Sequence, residues 1–358
     1  MIGIIFAHQR WAIAVLLILT FLILYISKRE RFSFAGTEEA MRILEENELK
    51  IRRDIIWTAK GPVTYEEVEQ NVFRPNNYKI VEYTFPIPKL DFVEKPSCAK
   101  IFGEWLSVAN RTSPEIPPKT IEESERNAFL LNGYTHLNQS AYYNDKAKPQ
   151  SVVWNNIQSM MTSPKQVVGY GEDGLAVHYA LKDYPVVNMT GFVIGSLWPW
   201  VEVQALRSGA AQVLTVEYQD IKIVGTEKIK YIHPIKFAED WNVNLEKFDF
   251  AVSFSSIEHS GLGRFGDPLD PIGDLREAQK VLCLLKTGGL FYLGLPRGKD
   301  TIYYNAHRIY GRMRLAMIMT GFQWLATYRG GNPHPITTTE DDFKEVSDPQ
   351  DLFVLRKI

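Results

Sequence analysis

The chain lacks an excess of basic charge, has few cysteines and contains no repeats, so these features do not assign it to a functional class. Its 358 residues hold 40 basic and 42 acidic side chains, so no excess of positive charge favours a nucleic-acid partner. It has only two cysteines, Cys98 and Cys283, which excludes a disulfide framework and leaves the redox compartment open. Cys283 lies in the apolar run 281–285, and this predicts a packed core thiol rather than a disulfide partner. Repeats and low-complexity tracts are also lacking.

One long apolar run stands near the start. Residues 11–27 contain no charged side chain and follow a short tail, residues 1–10. Seventeen helical residues span about 26 Å, which suits a thin bilayer of the endoplasmic-reticulum or Golgi type. The run therefore predicts a single-pass transmembrane helix that anchors the chain in a membrane. A cleaved signal peptide is the alternative, although no A-x-A-like cleavage site follows the run.

Two sequence features disagree about the orientation of this anchor. The basic cluster at residues 28–31 outweighs Arg10 on the other side, which places the C-terminal bulk in the cytosol. Glycosylation sequons begin at Asn110, Asn138 and Asn188, and they favour the lumen. Both orientations stay open at this point.

Residues 28–61 are predicted to form a stem helix. Thr37 can cap it, acidic residues occupy its first turn, and Gly61-Pro62 marks its end. The apolar stripe of this segment includes Ile55.

Residues 62–165 are rich in proline and aromatic side chains and predict an irregular N-terminal cap on the main domain. Within it, Thr120 and Glu123 match a capping box, so a helix is expected from there to Asn132-Gly133.

The most informative stretch is 190–217. A short apolar strand ends at Gly195-Ser196, a helix is expected over 198–208, and a second buried strand ends at Glu217. This is the pattern of the first βαβ unit of a nucleotide-binding α/β fold. Glu217 follows Gly195 by 22 residues, near the ~20-residue separation of an acid that binds ribose hydroxyls.

Strands and helices continue to alternate to the end of the chain. We therefore predict a doubly wound, mostly parallel seven-stranded α/β sheet within residues 166–358, with the last two strands as an antiparallel edge. The remaining predicted strands are 230–234, 248–255, 290–295, 322–328 and 351–357, and the remaining predicted helices are 274–286 and 309–319.

With the passage Leu285-Lys286-Thr287-Gly288-Gly289-Leu290 before the fifth strand, this arrangement resembles a class I S-adenosylmethionine-dependent methyltransferase, a Rossmann-like fold. Residues 255–271 also resemble an uncharacterised nematode family of unknown function, which brings no known substrate. The first resemblance implies S-adenosylmethionine as the cofactor. It implies contacts to the methionine part by Gly195 and Ser196, to the ribose by Glu217, to the adenine at His233, and to the pocket floor by Ser255 and Ser256.

The turn after the first strand departs from the family pattern. Only one of the family's glycines remains, and Trp198 is bulky. This departure supports an alternative interpretation, in which the chain is a catalytically inactive binding module with a methyltransferase fold.

Glu258 and His259 directly follow the fourth predicted strand, where the crevice of such a sheet opens. A histidine can take a proton from a substrate hydroxyl or amine, and a neighbouring carboxylate can orient it. We expect His259 to be the catalytic base and Glu258 its partner; the alternative is a loop pair bonded to backbone. The glycine motif 261–266 follows the fourth strand rather than the first, which favours a mobile loop over a dinucleotide site.

The sequence thus predicts a membrane-anchored, S-adenosylmethionine-dependent methyltransferase-like protein. Its acceptor is a small molecule or a glycan, and no metal site is predicted. A Golgi-type glycosyltransferase is a further alternative, but the chain contains no Asp-x-Asp triplet to hold a nucleotide-sugar metal.

Overall fold

The computed structural model describes residues 55–109, 116–144, 147–345 and 349–358. Residues 55–358 form one compact unit. The predicted tail, the membrane anchor at 11–27 and most of the stem helix fall outside the described residues. Within the described ranges, no helix has the length and apolar character needed to cross a membrane.

Nine α-helices and sixteen strands occur in the described part of the chain. The helices are α1 (Tyr65–Val68), α2 (Cys98–Ala109), α3 (Arg126–Phe129), α4 (Ile157–Thr162), α5 (Leu175–Asp183), α6 (Trp200–Arg207), α7 (Pro234–Glu239), α8 (Gly273–Leu284) and α9 (Arg312–Ile318). The strands are β1 (Ile55–Thr58), β2 (Gly61–Thr64), β3 (Tyr78–Glu82), β4 (Lys89–Phe92), β5 (His136–Asn138), β6 (Ser151–Trp154), β7 (Thr190–Ile194), β8 (Gln212–Val216), β9 (Asp220–Ile223), β10 (Ile229–Ile232), β11 (Phe248–Phe254), β12 (Leu285–Pro296), β13 (Thr301–Tyr303), β14 (His307–Ile309), β15 (Phe322–Arg329) and β16 (Gln350–Lys357).

The central sheet has seven strands in the order β10-β8-β7-β11-β12-β16-β15. The first five run parallel, and β16 runs antiparallel to both of its neighbours. The predicted mostly parallel, doubly wound, seven-stranded α/β sheet is confirmed. The expected antiparallel edge is also confirmed, because the last two strands of the chain pair with each other in antiparallel fashion at one edge, with β16 next to β12 and β15 outermost. Seven of the eight residues of β15 and of β16 pair with each other, a register that sequence spacing does not show.

Both faces of the sheet are covered, which explains why its strands are apolar along most of their length. Phe192 and Ala251 face one apolar layer, which includes α7, α8 and α9. Their neighbours Val193 and Val252 face the other, which includes α4, α5 and α6. The alternation follows from the two-residue period of a strand.

The N-terminal cap is part of the first of these layers. Most of its buried apolar side chains between Val63 and Tyr134 join the same apolar cluster as the residues of α8 and α9, whereas Ile121, Phe129 and Leu130 pack in a separate cluster. In addition, β6 pairs in parallel with β9, and β5 pairs in parallel with β13. The cap is therefore held by strand pairing as well as by side-chain packing.

Two predicted helices differ from the structure. The stem helix was expected to reach residue 61, but residues 55–64 form the antiparallel hairpin of β1 and β2. Ile55, Ile56 and Trp57 are β-branched or aromatic and favour a strand, and Gly61 turns the chain with a φ of +97°. The helix expected from the capping box is shorter than predicted, since α3 begins only at Arg126, and the positive φ angles at Leu131, Asn132 and Gly133 follow its end.

The cysteine prediction is also wrong. Cys98, at the start of α2, forms a disulfide with Cys283, near the end of α8. Their Cα atoms are 5.8 Å apart, within the usual range for a disulfide. The two residues are 185 positions apart, so only the packing of α2 on α8 brings them together. The disulfide ties the cap to helix α8 of the main domain.

Candidate functional site

The candidate site lies at the carboxyl ends of β7 and β11. These strands are neighbours, and the chain leaves them toward opposite halves of the sheet. Such a switch point opens a crevice where doubly wound sheets bind ligands. A cavity of about 300 Å³ occupies it, at the lower end of the ~300–1,000 Å³ range typical of small-molecule sites. Five of the six predicted cofactor residues line this cavity: Gly195, Ser196, Glu217, Ser255 and Ser256.

The turn after β7 requires a glycine. Gly195 has a φ of +71°, and a Cβ at this position would overlap the side chain of Ser256. The Gly195 N–H donates to the Val216 carbonyl at 2.9 Å. The backbone at the end of β7 thus touches the loop after β11 and stays bound to β8.

A buried carboxyl supports this turn. Ser196 Oγ lies 3.0 Å from both Glu202 Oε2 and the Trp198 carbonyl oxygen, and Thr215 Oγ1 donates to Glu202 Oε1 at 2.9 Å. Glu202 is fully buried, and burial raises its pKa to about 7. Because a hydroxyl has one proton, Ser196 can bond both oxygens at once only when the Glu202 carboxyl donates to it. Sequence reasoning missed Glu202, although an acid within an apolar crossover helix was the available signal.

Glu217 occupies the position expected of a ribose-binding acid. It directly follows β8, lines the cavity and is 5 % exposed. Its Oε1 accepts a hydrogen bond from the Gln219 N–H at 3.1 Å. Burial raises the pKa of this carboxyl, and backbone N–H donors oppose that shift.

His233 is not among the described residues that line the cavity. Its Nδ1 accepts a hydrogen bond from the Ile235 N–H at 3.3 Å, which caps the start of α7. The next residue, Pro234, does line the cavity, together with Phe237 and Ala238. His233 therefore caps a helix, and its neighbours Pro234, Phe237 and Ala238 form an apolar wall of the cavity.

Ser255 joins the cavity floor to the antiparallel strand. It follows β11 with a φ of +49°, and its N–H donates to the Gly294 carbonyl at 3.1 Å. Its Oγ accepts a hydrogen bond from Gln350 Nε2 at 3.2 Å. Gln350 is the first residue of β16, so the floor depends on the C-terminal strand.

Glu258 and His259 form a short 3₁₀ turn next to the cavity. His259 lines the cavity, whereas Glu258 is 1 % exposed and lies behind it, with Oε1 3.9 Å from His259 Nε2. His259 Nδ1 is 2.6 Å from the Ala306 carbonyl oxygen. Because a carbonyl only accepts, Nδ1 carries the proton and Nε2 carries the lone pair.

The surroundings of this pair shift both pKa values. Burial, helped by the charge of Arg264, lowers the pKa of His259 to about 3. Burial raises the pKa of Glu258 to about 7. A proton shared by the pair near neutral pH therefore resides on Glu258. Glu258 Oε2 is buried and finds no hydrogen-bond partner in the described part of the chain.

Further cavity residues come from segments that the sequence did not single out. Tyr170 and Trp198 stand at the mouth, 57 % and 40 % exposed. At the inner wall Lys280 forms an ion pair of 2.7 Å with Glu277, and its Nζ lies 3.8 Å from the centre of the Trp105 ring. Burial lowers the pKa of Lys280. The cavity therefore has an aromatic mouth and a paired charge at its inner wall.

The glycine motif 261–266 is occupied by a residue of this chain. Asp267 Oδ2 accepts hydrogen bonds from the N–H groups of Gly261, Leu262 and Gly263 at 2.7 to 3.0 Å. The fully buried Arg308 donates to the carbonyls of Ser260 and Glu258. The backbone amides that a phosphate would need are therefore already bound to the Asp267 carboxylate. Asp267 and Arg308 together hold the loop in place.

The sequence of this domain matches a known family profile. Residues 188–358 match the family described as Caenorhabditis protein of unknown function, DUF268. The match begins two residues before β7 and includes every strand of the seven-stranded sheet, which is slightly less than half of the chain. It confirms the resemblance of this region to an uncharacterised nematode family. No curated protein sequence matches the chain significantly.

Solved structures with a similar fold include S-adenosylmethionine-dependent methyltransferases. One is the 1,6-didemethyltoxoflavin-N1-methyltransferase of Burkholderia thailandensis, solved with S-adenosylhomocysteine (13 % identity, 52 % of this chain, 78 % of that chain, TM-score 0.38). Another is a methyltransferase of Mesorhizobium loti (17 %, 52 %, 100 %, TM-score 0.32). A third is the [4+2]-cyclase SpnF (10 %, 57 %, 90 %, TM-score 0.37). Because the identities and TM-scores are low, these likenesses assign no activity to the chain.

Proposed function

We propose that the protein is an S-adenosylmethionine-dependent methyltransferase, anchored to a membrane through residues 11–27. The observation that carries this proposal is the meeting of a glycine turn, a buried acid and a cavity at one switch point. Gly195 and Glu217 directly follow the adjacent parallel strands β7 and β8, and both line the cavity. The methyl acceptor is a small molecule or a glycan.

The residues present fit this cofactor. The backbone at Gly195 and Ser196 would hold the methionine part, and the Glu217 carboxylate would accept hydrogen bonds from the ribose hydroxyls. Tyr218, Pro234 and the apolar side chains of α7 would flank the adenine. The bulky Trp198 lies at the mouth of the cavity and is 40 % exposed. When bound, the cofactor supplies a methyl group on a positively charged sulfur.

His259 would accept the proton that the methyl acceptor loses, and Glu258 would stabilise the resulting imidazolium. Because Nδ1 of His259 donates its proton to the Ala306 carbonyl, Nε2 carries a free lone pair. His259 also lines the cavity. It can accept a hydrogen bond from an acceptor hydroxyl or amine. As the proton moves to Nε2, an ionised Glu258 carboxylate 3.9 Å away would stabilise the imidazolium.

A catalytically inactive binding module is the second candidate. Two observations favour it: the Ser196 hydroxyl is already engaged by Glu202 and Trp198, and the low pKa of His259 makes it a weak base. An inactive module would bind its ligand in the same cavity but would transfer no methyl group.

Cofactor binding by the full chain in detergent tests the proposal. S-adenosylmethionine at 100 times its Kd should stabilise the protein by ~2.7 kcal/mol, which a thermal shift detects. Glu217→Ala should weaken binding by about 1.5 to 3 kcal/mol in calorimetry, because a charged hydrogen-bond partner is lost. Glu227→Ala is the matched control, since Glu227 is an exposed acid outside the cavity.

Three outcomes separate the candidates. Binding with transfer of a labelled methyl group to an extract supports the enzyme. Binding without transfer favours the inactive module. If neither S-adenosylmethionine nor S-adenosylhomocysteine binds, the proposal is overturned.

A further inference from the structure

The three glycosylation sequons differ in their structural setting. Asn188 lies in the connection between α5 and β7, and its side chain is exposed. Its backbone is left-handed, with a φ of +59°, and its N–H donates to the Gly209 carbonyl at 2.8 Å. Across the described ranges, no hydrogen bond engages its side-chain amide. The acceptor nitrogen therefore projects from a surface turn of fixed shape.

Asn138 has a different environment. It is half-buried at the end of β5, which pairs with β13. Its carbonyl accepts a hydrogen bond from the Tyr304 N–H, and its Oδ1 accepts one from the Ser140 N–H at 2.8 Å. The amide of Asn138 is thus part of the local fold. Asn110 lies outside the described residues.

The disulfide is an independent observation about the compartment. Cys98 and Cys283 come from different parts of the chain, and the fold places them at bonding distance. Disulfides form and persist in oxidising compartments and are rare in the cytosol. The lumen of the endoplasmic reticulum is such a compartment, and N-linked glycans are added there. The disulfide and the exposed sequon therefore point to the same side of the membrane, against the basic cluster at residues 28–31.

We propose that residues 55–358 face the lumen and that Asn188 carries an N-linked glycan. Nδ2 of Asn188 forms a bond to the anomeric carbon of an oligosaccharide, the bond from that carbon to a lipid diphosphate breaks, and the amide gives up one proton. The thiols of Cys98 and Cys283 lose two protons and two electrons to a lumenal disulfide oxidant as the S–S bond forms.

The position of Asn188 is compatible with an open ligand cavity. Asn188 precedes β7, whereas the cavity begins after it at Gly195. Five strand residues at ~3.3 Å each separate the two ends by about 17 Å. A glycan on Asn188 therefore extends from the end of the sheet opposite the cavity.

Expression of the full chain in a eukaryotic secretory host tests the glycan. Treatment with an N-glycosidase should increase gel mobility, and Asn188→Gln should remove one glycan. Thr190→Ala should remove the same glycan, whereas Thr190→Ser keeps the sequon and should retain it. Asn138→Gln, the matched control, should leave the glycan on Asn188 in place. An unmodified Asn188 peptide in the mass spectrum of the wild type overturns the proposal.

Two further measurements test the compartment. Peptide mapping without reductant should recover the peptides of Cys98 and Cys283 as one linked species. In sealed microsomes, added protease should leave residues 55–358 intact until detergent is added. Free alkylated thiols at both cysteines, or digestion of these residues in sealed vesicles, would place the domain in the cytosol and overturn the proposal.

Discussion

Ser196 Oγ lies 3.0 Å from Glu202 Oε2, so the turn at the candidate cofactor site rests on a fully buried carboxyl. The same carboxyl accepts a hydrogen bond from Thr215 on the neighbouring strand. Because burial raises its pKa to about 7, its charge changes in the physiological range. Ionisation of Glu202 therefore alters the contacts of the turn directly.

We predict that Glu202 makes the protein less stable as pH rises from about 4.5 to about 7. A glutamate carboxyl ordinarily has a pKa of 4.5, and burial raises the pKa of Glu202 to about 7, so within this window the folded state binds more protons than the unfolded state. The free energy of unfolding then falls with rising pH. Glu202→Gln keeps a hydrogen-bonding side chain and should reduce the slope, measured by urea unfolding at several pH values.

The exposed Glu227→Gln is the control for this experiment. The pKa of Glu258 shifts in the same direction, so some slope should remain in the Glu202 variant. An unchanged slope in Glu202→Gln would show that Glu202 is ionised in the fold throughout.

We predict that Gly195→Ala destabilises the fold and blocks the cofactor site. The positive φ costs about 1 to 2 kcal/mol for alanine, and overlap with Ser256 adds about 1 to 3 kcal/mol. Gly225→Ala is the matched control, because Gly225 also has a positive φ but no atom within 4 Å of its Cβ position. Chemical denaturation measures both variants.

A double variant isolates the steric part of this effect. Ser256→Gly removes the overlapping atoms and leaves only the Ser256 Cα, 3.8 Å from the added Cβ. The free energy of unfolding that Gly195→Ala loses through the overlap should therefore be regained when Ser256→Gly is added. A double variant no more stable than Gly195→Ala alone would contradict the close contact.

For methyl transfer, we predict a rate that rises with pH through about 7. The Glu258 carboxyl must be ionised to stabilise the imidazolium, and its pKa is about 7, whereas His259 is already neutral above about pH 4. Glu258→Gln should flatten this limb of the profile of kcat. His259→Ala should lower kcat by ~10² to 10⁴, the usual contribution of a general base.

The exposed His334→Ala is the control, and its profile should match that of the wild type. Cofactor affinity should stay near wild type in all three variants, since the pair is expected to act on the acceptor. A pH limb that persists in Glu258→Gln would assign the titration to another group.

Loss of the disulfide should lower the free energy of unfolding by about 2 to 5 kcal/mol, because the closed loop is long. We expect this in Cys98→Ser with Cys283→Ser, measured by denaturant unfolding without reductant. Reductant should destabilise the wild type and leave the double variant unchanged. Equal stability of the two proteins would mean that the disulfide does not form.

The sequence predicted the sheet well because its strands are apolar along most of their length. Such runs, ended by residues such as Gly195 and Pro296, identify buried parallel strands within a few residues. Glu217 could be placed because strand ends and spacing determine where an acid falls in a βαβ unit. The predicted positions of Ser255 and Ser256 follow from the same rule.

The rest depends on contacts between distant parts of the chain. The disulfide joins residues 185 apart, and the antiparallel strand β16 enters between β12 and β15. No local pattern encodes either. Glu202 was missed because the burial of an acid depends on what packs around its helix. The fixed tautomer of His259 likewise depends on Ala306, 47 residues away.

The interior position of β16 has a consequence for synthesis on the ribosome. Until residue 357 has been made, β12 and β15 have no common partner, and the edge of the five parallel strands is open along β12. An open apolar strand edge is a template for pairing with other chains. The seven-stranded sheet is therefore complete only after the strand at 350–357 has been synthesised, and until then β12 is open to pairing with other chains.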